Sequence, residues 1–310
     1  MLSALLIVLG IAGVLLGSDV AISAAIRLAR RIGVPPLLVG LTLTSIGTSL
    51  PEIATNVAAG MSSRAGIDAS GLLVGNIIGS CLSQITLLLG IVGLAASMRR
   101  PDHFRRDGAM MLVAAAAMFA VCADGVAKPI EAVVLLSLYA GYLFVLVRGT
   151  PMESPEENPE GSLFKELALA MGGLMVVVLC ANLVVEQAID LARLLELPEV
   201  VIGLILGLGT GIPELTVALQ AARKGSTDLG LGNLIGSNIT DPLLSFSAGV
   251  MLHEVTVPAA VLWFDFPVWL GASGLALWFI HSRSKLSRLE SGLLIAVFLS
   301  YVTVRTVLIG

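Results

Sequence analysis

Charge is what this chain has least of. Asp, Glu, Lys and Arg make up 13% of its 310 residues, about half the ~25% of an ordinary soluble domain, and 56% of the residues are hydrophobic. That shortage excludes a soluble fold and leaves no basic surface for nucleic acid. Cysteine is scarce as well. Cys81, Cys122 and Cys180 stand singly in apolar segments, with no CxxC or Cys/His spacing, so disulfide and zinc frameworks have nothing to rest on. They read as small core residues. The three histidines, His103, His253 and His281, fall near the ends of apolar runs and read as surface residues. The opening "MLSALLIVLGIAGVLLGSDVAIS" lacks the positive flank of a signal peptide and continues as a long helix, which reads as a retained first span.

What the chain has instead is a series of apolar stretches about 20 residues long, the length that crosses a bilayer core. Apolar runs set against charged or Pro/Gly-rich breaks predict spans at 2–29, 36–61, 70–96, 107–123 and 128–148, then 163–193, 198–222, 228–250, 258–281 and 288–308. The fold expected is an all-α polytopic membrane protein with ten transmembrane helices. The stretch "RGTPMESPEENPEGSLFKE", 148–166, cannot bury enough apolar surface to fold alone. The chain thus divides into five spans (1–148), a cytoplasmic linker (149–162) and five more spans (163–310).

Lys and Arg orient the spans, because cytoplasmic loops collect them. With both termini outside, the cytoplasmic connections hold Arg27, Arg30, Arg31, Arg99, Arg100, Arg105, Arg106, Arg148, Lys165, Arg223, Lys224, Arg283, Lys285 and Arg288. The other side keeps Arg64, Lys128, Arg193 and Arg305. A multi-pass protein of the cell membrane follows, the inner membrane if the source is Gram-negative, with the lipid bilayer as its surroundings and no obligatory protein partner.

The two halves repeat each other. "PLLVGLTLTSIGTSLPEIATNVAAG" is answered by "EVVIGLILGLGTGIPELTVALQAA", and "GLLVGNIIGSCLSQITLLLG" (71–90) by "GLGNLIGSNITDPLLSFSAG" (230–249). Each half therefore carries G-T-x-x-P-E, a short polar link, and G-N-x-I-G-S. Five spans separate the copies, so the second half enters the membrane from the opposite side. That is an inverted-topology repeat, whose binding site is expected at mid-membrane where broken helices meet. Pro51 and Pro213 each remove an N–H and free a carbonyl one turn earlier, and such a break is tolerated only inside protein or along a cavity.

Glu52 and Glu214 lie near the middle of their spans, where an ionisable group costs at least ~2.5–3.5 kcal/mol and is a functional candidate by default. Two at equivalent positions of an inverted repeat point to one site. Thr48, Ser49 and Thr210 add oxygen donors beside them, or else satisfy the helix break. Ser80 with Gln84, and Ser237 with Asp241, share helix faces at i, i+4 spacing; Gln84 and Asp241 can ligate or support. Carboxylate, hydroxyl, amide and carbonyl oxygens without His or Cys suit a hard cation, Ca²⁺ or Na⁺. Asn76, Asn233 and Asn238 are expected to tie helices together. Asp124, Glu186 and Asp190 read as span-end groups, of which Glu186 keeps the strongest claim to a role.

The paired motifs in inverted five-span halves resemble the sodium/calcium exchangers of the cation/Ca²⁺ exchanger superfamily, in the prokaryotic form that lacks a regulatory domain. The resemblance implies a core of helices 2, 3, 7 and 8, with helices 1 and 6 sliding past it as a gate. It implies Glu52 and Glu214 as central Ca²⁺ ligands, completed by oxygens of Thr48 and Thr210. Ser49, Ser80 and Ser237 would line flanking Na⁺ sites, backbone carbonyls of Ser45 and Gly207 would help bind Na⁺, and Gln84 and Asp241 would close the middle. The activity implied is antiport of Ca²⁺ against Na⁺, with a Ca²⁺/H⁺ antiporter and a passive cation channel as alternatives. No enzyme and no cofactor is implied; the inorganic cations are cargo. The chain departs from the family pattern in three places. Gly211 replaces a Ser, Gln84 stands where Asn or Asp is usual, and Gly203 to Glu214 is one residue shorter than Gly40 to Glu52.

Overall fold

A computed structural model describes residues 2–96, 98, 104–149, 162–194, 209, 211–283 and 285–309. The first half contributes α1 (Leu2–Ile32), α2 in two pieces (Pro36–Thr48 and Leu50–Arg64), α3 (Ser70–Ala95), α4 (Phe104–Cys122) and α5 (Pro129–Gly149). The second contributes α6 (Leu163–Leu194), α7 (Ile212–Arg223), α8 (227–250), α9 (Val261–Ser282) and α10 (Arg288–Val304). Strands β1 (Val126–Ala127) and β2 (Val255–Thr256) form the one short sheet among the described residues. Six described helices, α1, α3, α5, α6, α9 and α10, are long and apolar enough to cross a membrane, and the bent α2 makes a seventh. The expected span 198–222 is described only from Gly209 and Gly211 onward, and most of the expected linker 149–162 lies outside the described residues.

The motif-bearing hairpins turn in the same way in both halves. Gly66 (φ 90°) ends α2 and Gly225 (φ 75°) ends the described part of α7, left-handed conformations that only glycine adopts without strain. Each turn is closed by a 6→1 bond, Ile67 N–H to the Ser62 carbonyl (3.0 Å) and Ser226 N–H to the Ala221 carbonyl (2.9 Å), the pattern of a glycine-ended helix.

Glycines let the helices of the two halves touch at the backbone. A Cβ on Gly232 would lie 2.7 Å from the Leu37 carbonyl oxygen, and one on Gly236 would lie 2.8 Å from the Ser45 Cβ. Further along, Gly60 meets Gly249. Contacts that advance together, 37 with 232 and 60 with 249, make α2 and α8 run parallel. Since α7 and α8 are antiparallel, α7 runs opposite to α2, its counterpart in the repeat. The helices therefore pair as an inverted repeat. Outside this core, α1 packs along α6, where a Cβ on Gly173 would lie 2.7 Å from the Ala21 nitrogen and 2.8 Å from the Gly17 oxygen. Small residues of this kind are what allow close helix packing in lipid.

Contacts between connections show which of them share a face of the molecule. β1 pairs antiparallel with β2, Val126 opposite Thr256 and Ala127 opposite Val255, and Thr256 N–H donates to the Ser70 hydroxyl (3.2 Å). The α2–α3, α4–α5 and α8–α9 connections thus lie together. At the other end of α3, Leu286 N–H donates to the Met98 carbonyl (3.0 Å). Arg27 at the end of α1 pairs with Glu166 at the start of α6 (2.9 Å). Asp124, expected at a span end, is exposed and bonded to Lys128 (2.7 Å). That bond holds its carboxyl below the usual carboxylate range. Glu186 and Asp190 are also exposed, and no described contact joins them to the core.

Candidate functional site

The break in α2 follows from Pro51. Without an N–H it cannot bond the carbonyl four residues back, that of Gly47, and the helix axis bends by 46° between Thr48 and Leu50. Ser49 at the bend has φ −78°, ψ 4°. Gly211, its counterpart before Pro213, has φ −84°, ψ 0°. Ser49 and Gly211 share one backbone geometry, and each precedes a helix whose first turn carries the carboxylate, Glu52 or Glu214.

The opposing helices α3 and α8 are irregular at equivalent places too. Each widens into a turn of π-helix that begins at a candidate site residue, Gln84–Leu88 in α3 and Asp241–Ser245 in α8, a distortion common at functional sites. From Leu229 to Leu243 every residue of α8 is buried. It is the axis of the molecule, and a polar one, carrying Asn233, Ser237, Asn238, Thr240 and Asp241.

Glu52, Glu214 and Asp241 converge there, at 1%, 0% and 0% exposure. Glu214 interacts electrostatically with both of the others. The Ser80 hydroxyl lies between Glu52 Oε1 (3.4 Å) and Asp241 Oδ2 (3.3 Å), and its single proton can serve only one of them at a time. Gln84 Nε2 donates to the Ser80 Oγ (2.9 Å) and to Asp241 Oδ2 (3.1 Å). Ser49 lies beside Asp241, and Thr48 beside Glu214. What stands out is what these groups do not find. Glu52 Oε2, both oxygens of Glu214, Asp241 Oδ1 and the hydroxyls of Ser49 and Ser237 are buried without a hydrogen-bond partner among the described residues. Neither does a Lys, Arg or His among them pair with any of the three carboxylates. Buried carboxylate oxygens in that condition cost several kcal/mol unless a cation or proton meets them.

Most of the sequence-derived candidates lie in this region. Glu52, Glu214, Thr48, Ser49, Ser80, Ser237, Gln84 and Asp241 are all buried on α2, α3, α7 and α8. Thr210 and Gly207 lie outside the described residues. Ser45 is buried, and its carbonyl already accepts from Ser49 N–H (3.0 Å) and competes with Asn233 Oδ1 for the single proton of the Thr48 hydroxyl (3.3 Å to each). An ion taking that carbonyl would displace the Thr48 hydroxyl. Gln84 turns its N–H groups, not its oxygen, toward Asp241. Among the described residues no three His, Cys, Asp or Glu side chains are grouped as a resident metal centre. An ion placed here would take the rest of its shell from hydroxyl, amide and carbonyl oxygens.

The asparagines bridge helices. Asn76 donates to Asn56 Oδ1 (3.0 Å), the Thr48 hydroxyl is within reach of Asn233 Oδ1 (3.3 Å), and Asn238 donates to Gln84 Oε1 (2.9 Å). Sequence reasoning missed Asn56 and Ser245, which bond each other between α2 and α8 (2.9 Å). The signal was available, since they follow Glu52 and Asp241 by four residues on the same helix faces. It also missed Trp269, whose indole N–H donates to Asn238 Oδ1 (3.3 Å) from a helix that carries no motif.

Comparison with known proteins gives the same picture. The family model for the sodium/calcium exchanger protein matches residues 2–148 and 165–307. The chain is 29% identical to the sodium/calcium exchanger MaX1 of Methanosarcina acetivorans, over 97% of both chains. It is 32% identical to the membrane protein MJ0091 of Methanocaldococcus jannaschii, over 91% of both. The solved structure of the sodium-calcium exchanger NCX_Mj soaked with 10 mM Na⁺ and zero Ca²⁺ superposes with a TM-score of 0.85 at 29% identity, covering 99% of each chain. With a polytopic all-α fold, inverted pairing of its helices and a family model matched along nearly its whole length, the chain belongs to the sodium/calcium exchanger protein family.

Proposed function

We propose that this protein is a secondary-active antiporter that exchanges Ca²⁺ for Na⁺ by alternating access at the site between α2, α3, α7 and α8. The observation that carries the reading is the set of buried carboxylate oxygens on Glu52, Glu214 and Asp241 that no donor among the described residues satisfies. Glu52 and Glu214 are the Ca²⁺ ligands, helped by oxygens of Thr48 and Thr210. Ser49, Ser80 and Ser237 serve flanking Na⁺ positions with the carbonyls of Ser45 and Gly207, and Gln84 and Asp241 close the centre. The relatives named sodium/calcium exchangers support this choice of cations.

The architecture that goes with it has ten transmembrane helices in two inverted repeats, 1–148 and 163–310, joined by a cytoplasmic linker at 149–162, with both termini outside. The distribution of Lys and Arg supports that orientation, and the grouping of connections into shared faces supports the alternation of the spans. An ion-free site with more than one carboxylate is too highly charged to pass a hydrophobic barrier. One Ca²⁺ offsets the Glu52/Glu214 pair, leaving Asp241 to its Gln84 and Ser80 donors or a proton, and several Na⁺ offset all three carboxylates. The core can then turn from one side to the other only when loaded, which makes transport coupled exchange.

The test is ⁴⁵Ca²⁺ uptake into liposomes holding the purified protein, with Na⁺ and pH gradients imposed separately. An outward Na⁺ gradient should drive uptake that a pH gradient alone does not. Uptake driven only by the pH gradient would leave a Ca²⁺/H⁺ exchanger, and uptake indifferent to both would leave a channel.

A further inference from the structure

Asp241 receives one of its hydrogen bonds from the end of a directional chain that starts outside the four core helices. The Trp269 indole N–H on α9 donates to Asn238 Oδ1 (3.3 Å), Asn238 Nδ2 donates to Gln84 Oε1 (2.9 Å), and Gln84 Nε2 donates to Asp241 Oδ2 (3.1 Å) and to the Ser80 Oγ (2.9 Å). All four side chains, Trp269, Asn238, Gln84 and Asp241, are at 0% exposure, so no water can substitute for a missing partner at low cost.

The direction of the chain is fixed by chemistry at its two ends. An indole N–H can only donate and a carboxylate can only accept. The two amides between them must each turn oxygen toward the tryptophan and nitrogen toward the aspartate. The Leu234 carbonyl, which accepts from Asn238 Nδ2 (3.1 Å), holds the first amide in the same sense. The chain crosses from one half to the other and cannot be repeated with the halves exchanged. At the place equivalent to Asn238, directly after G-N-x-I-G-S, the first half has Cys81, which cannot both accept and donate as an amide does.

We infer that Trp269 and Asn238 are positioning residues for the ion site: they hold Gln84 with its N–H groups on Asp241, so that the centre of the site carries a built-in neutral donor where a cation would otherwise be drawn. The inference rests on the proposed cation exchange and adds a determinant of ion preference to it. Gln84 stabilises the cation-free carboxylate, and a cation arriving at Asp241 must compete with it. Removing the donor therefore favours the cation.

The experiment is a double-mutant cycle read by calorimetric titration of the detergent-purified full chain with Na⁺ and with Ca²⁺. Gln84→Leu should raise Na⁺ affinity about tenfold, the worth of one hydrogen bond to a charged group. Trp269→Phe should raise it about threefold, as expected for losing a neutral bond. The double variant should match Gln84→Leu alone, because without Gln84 nothing links Trp269 to Asp241. A tryptophan that only packs would alter the melting temperature in both backgrounds and leave Na⁺ affinity unmoved; that result, or equal affinity shifts in both backgrounds, overturns the inference. If the wild-type protein binds Ca²⁺ and the cycle is additive, the positioning role fails alone. If the wild type binds neither ion, cation exchange and positioning fail together.

Discussion

Glu214→Gln should move stability and transport in opposite directions. Glu214 is at 0% exposure, neither of its oxygens has a hydrogen-bond partner among the described residues, and its electrostatic neighbours are Glu52 and Asp241. Gln keeps the shape, removes the charge and supplies an N–H₂. An unsatisfied buried polar group costs ~1–3 kcal/mol and a charged one more, so the ion-free Gln variant should be at least ~1–3 kcal/mol more stable than wild type. For Ca²⁺ the sign reverses. Unit charges ~4 Å apart at an effective dielectric of ~20 attract by ~4 kcal/mol, and a divalent ion by about twice that. If half survives the relief of desolvation, Ca²⁺ affinity still falls by about a thousandfold. Thermal melting of detergent-purified protein in EGTA and in Ca²⁺ reads both effects. Wild type should gain about 2.7 kcal/mol at Ca²⁺ a hundred times its Kd and the variant nothing, while ⁴⁵Ca²⁺ exchange in liposomes drops to background. A variant that melts lower than wild type in EGTA and is still stabilised by Ca²⁺ would refute the site.

Gly211→Ser tests the hydroxyl that the second repeat lacks. Gly211 has almost the backbone angles of Ser49, so Ser is accepted there without strain, and the Na⁺ dependence of Ca²⁺ flux should steepen; an unchanged Na⁺ response means the missing oxygen is irrelevant. Orientation is open to cysteine labelling in a background where Cys81, Cys122 and Cys180 are replaced. In right-side-out vesicles, Glu254→Cys beside β2 should react with an impermeant maleimide and Lys224→Cys should not, and the reverse pattern would invert the topology.

The repeated motifs made much of the site legible. A carboxylate behind a proline located the break in α2 and the matching helix start of α7, and the i, i+4 partners Ser80/Gln84 and Ser237/Asp241 located the facing helices, because local backbone chemistry and helix periodicity are written in short stretches of sequence. What stayed illegible depends on groups brought together from distant segments. Trp269 follows Asn238 by 31 residues and sits in an apolar run with no periodic mark of its role. The orientation of an amide is likewise decided by its neighbours in space, so the sequence left Gln84 as either ligand or support. The same holds for α4, which begins with "FRRD". Its charge hides a buried Asp107 paired with Arg106 (2.7 Å), and the expected start at 107 fell three residues late.

The ribbon of β1 and β2 is only two residues wide, yet it joins the fourth and fifth helices of one repeat to the eighth and ninth of the other, and Val257 N–H adds a bond to the Gly125 carbonyl (2.8 Å). With α2 and α8 in backbone contact below it, the two sequence halves are stitched into a single block. Packing therefore does not follow the order of the two halves. α1 and α6, one helix from each half, pack on each other through Gly17 and Gly173 and are strapped at one end by Arg27 and Glu166. Inheritance divided this protein in sequence order; packing pairs its helices across that division.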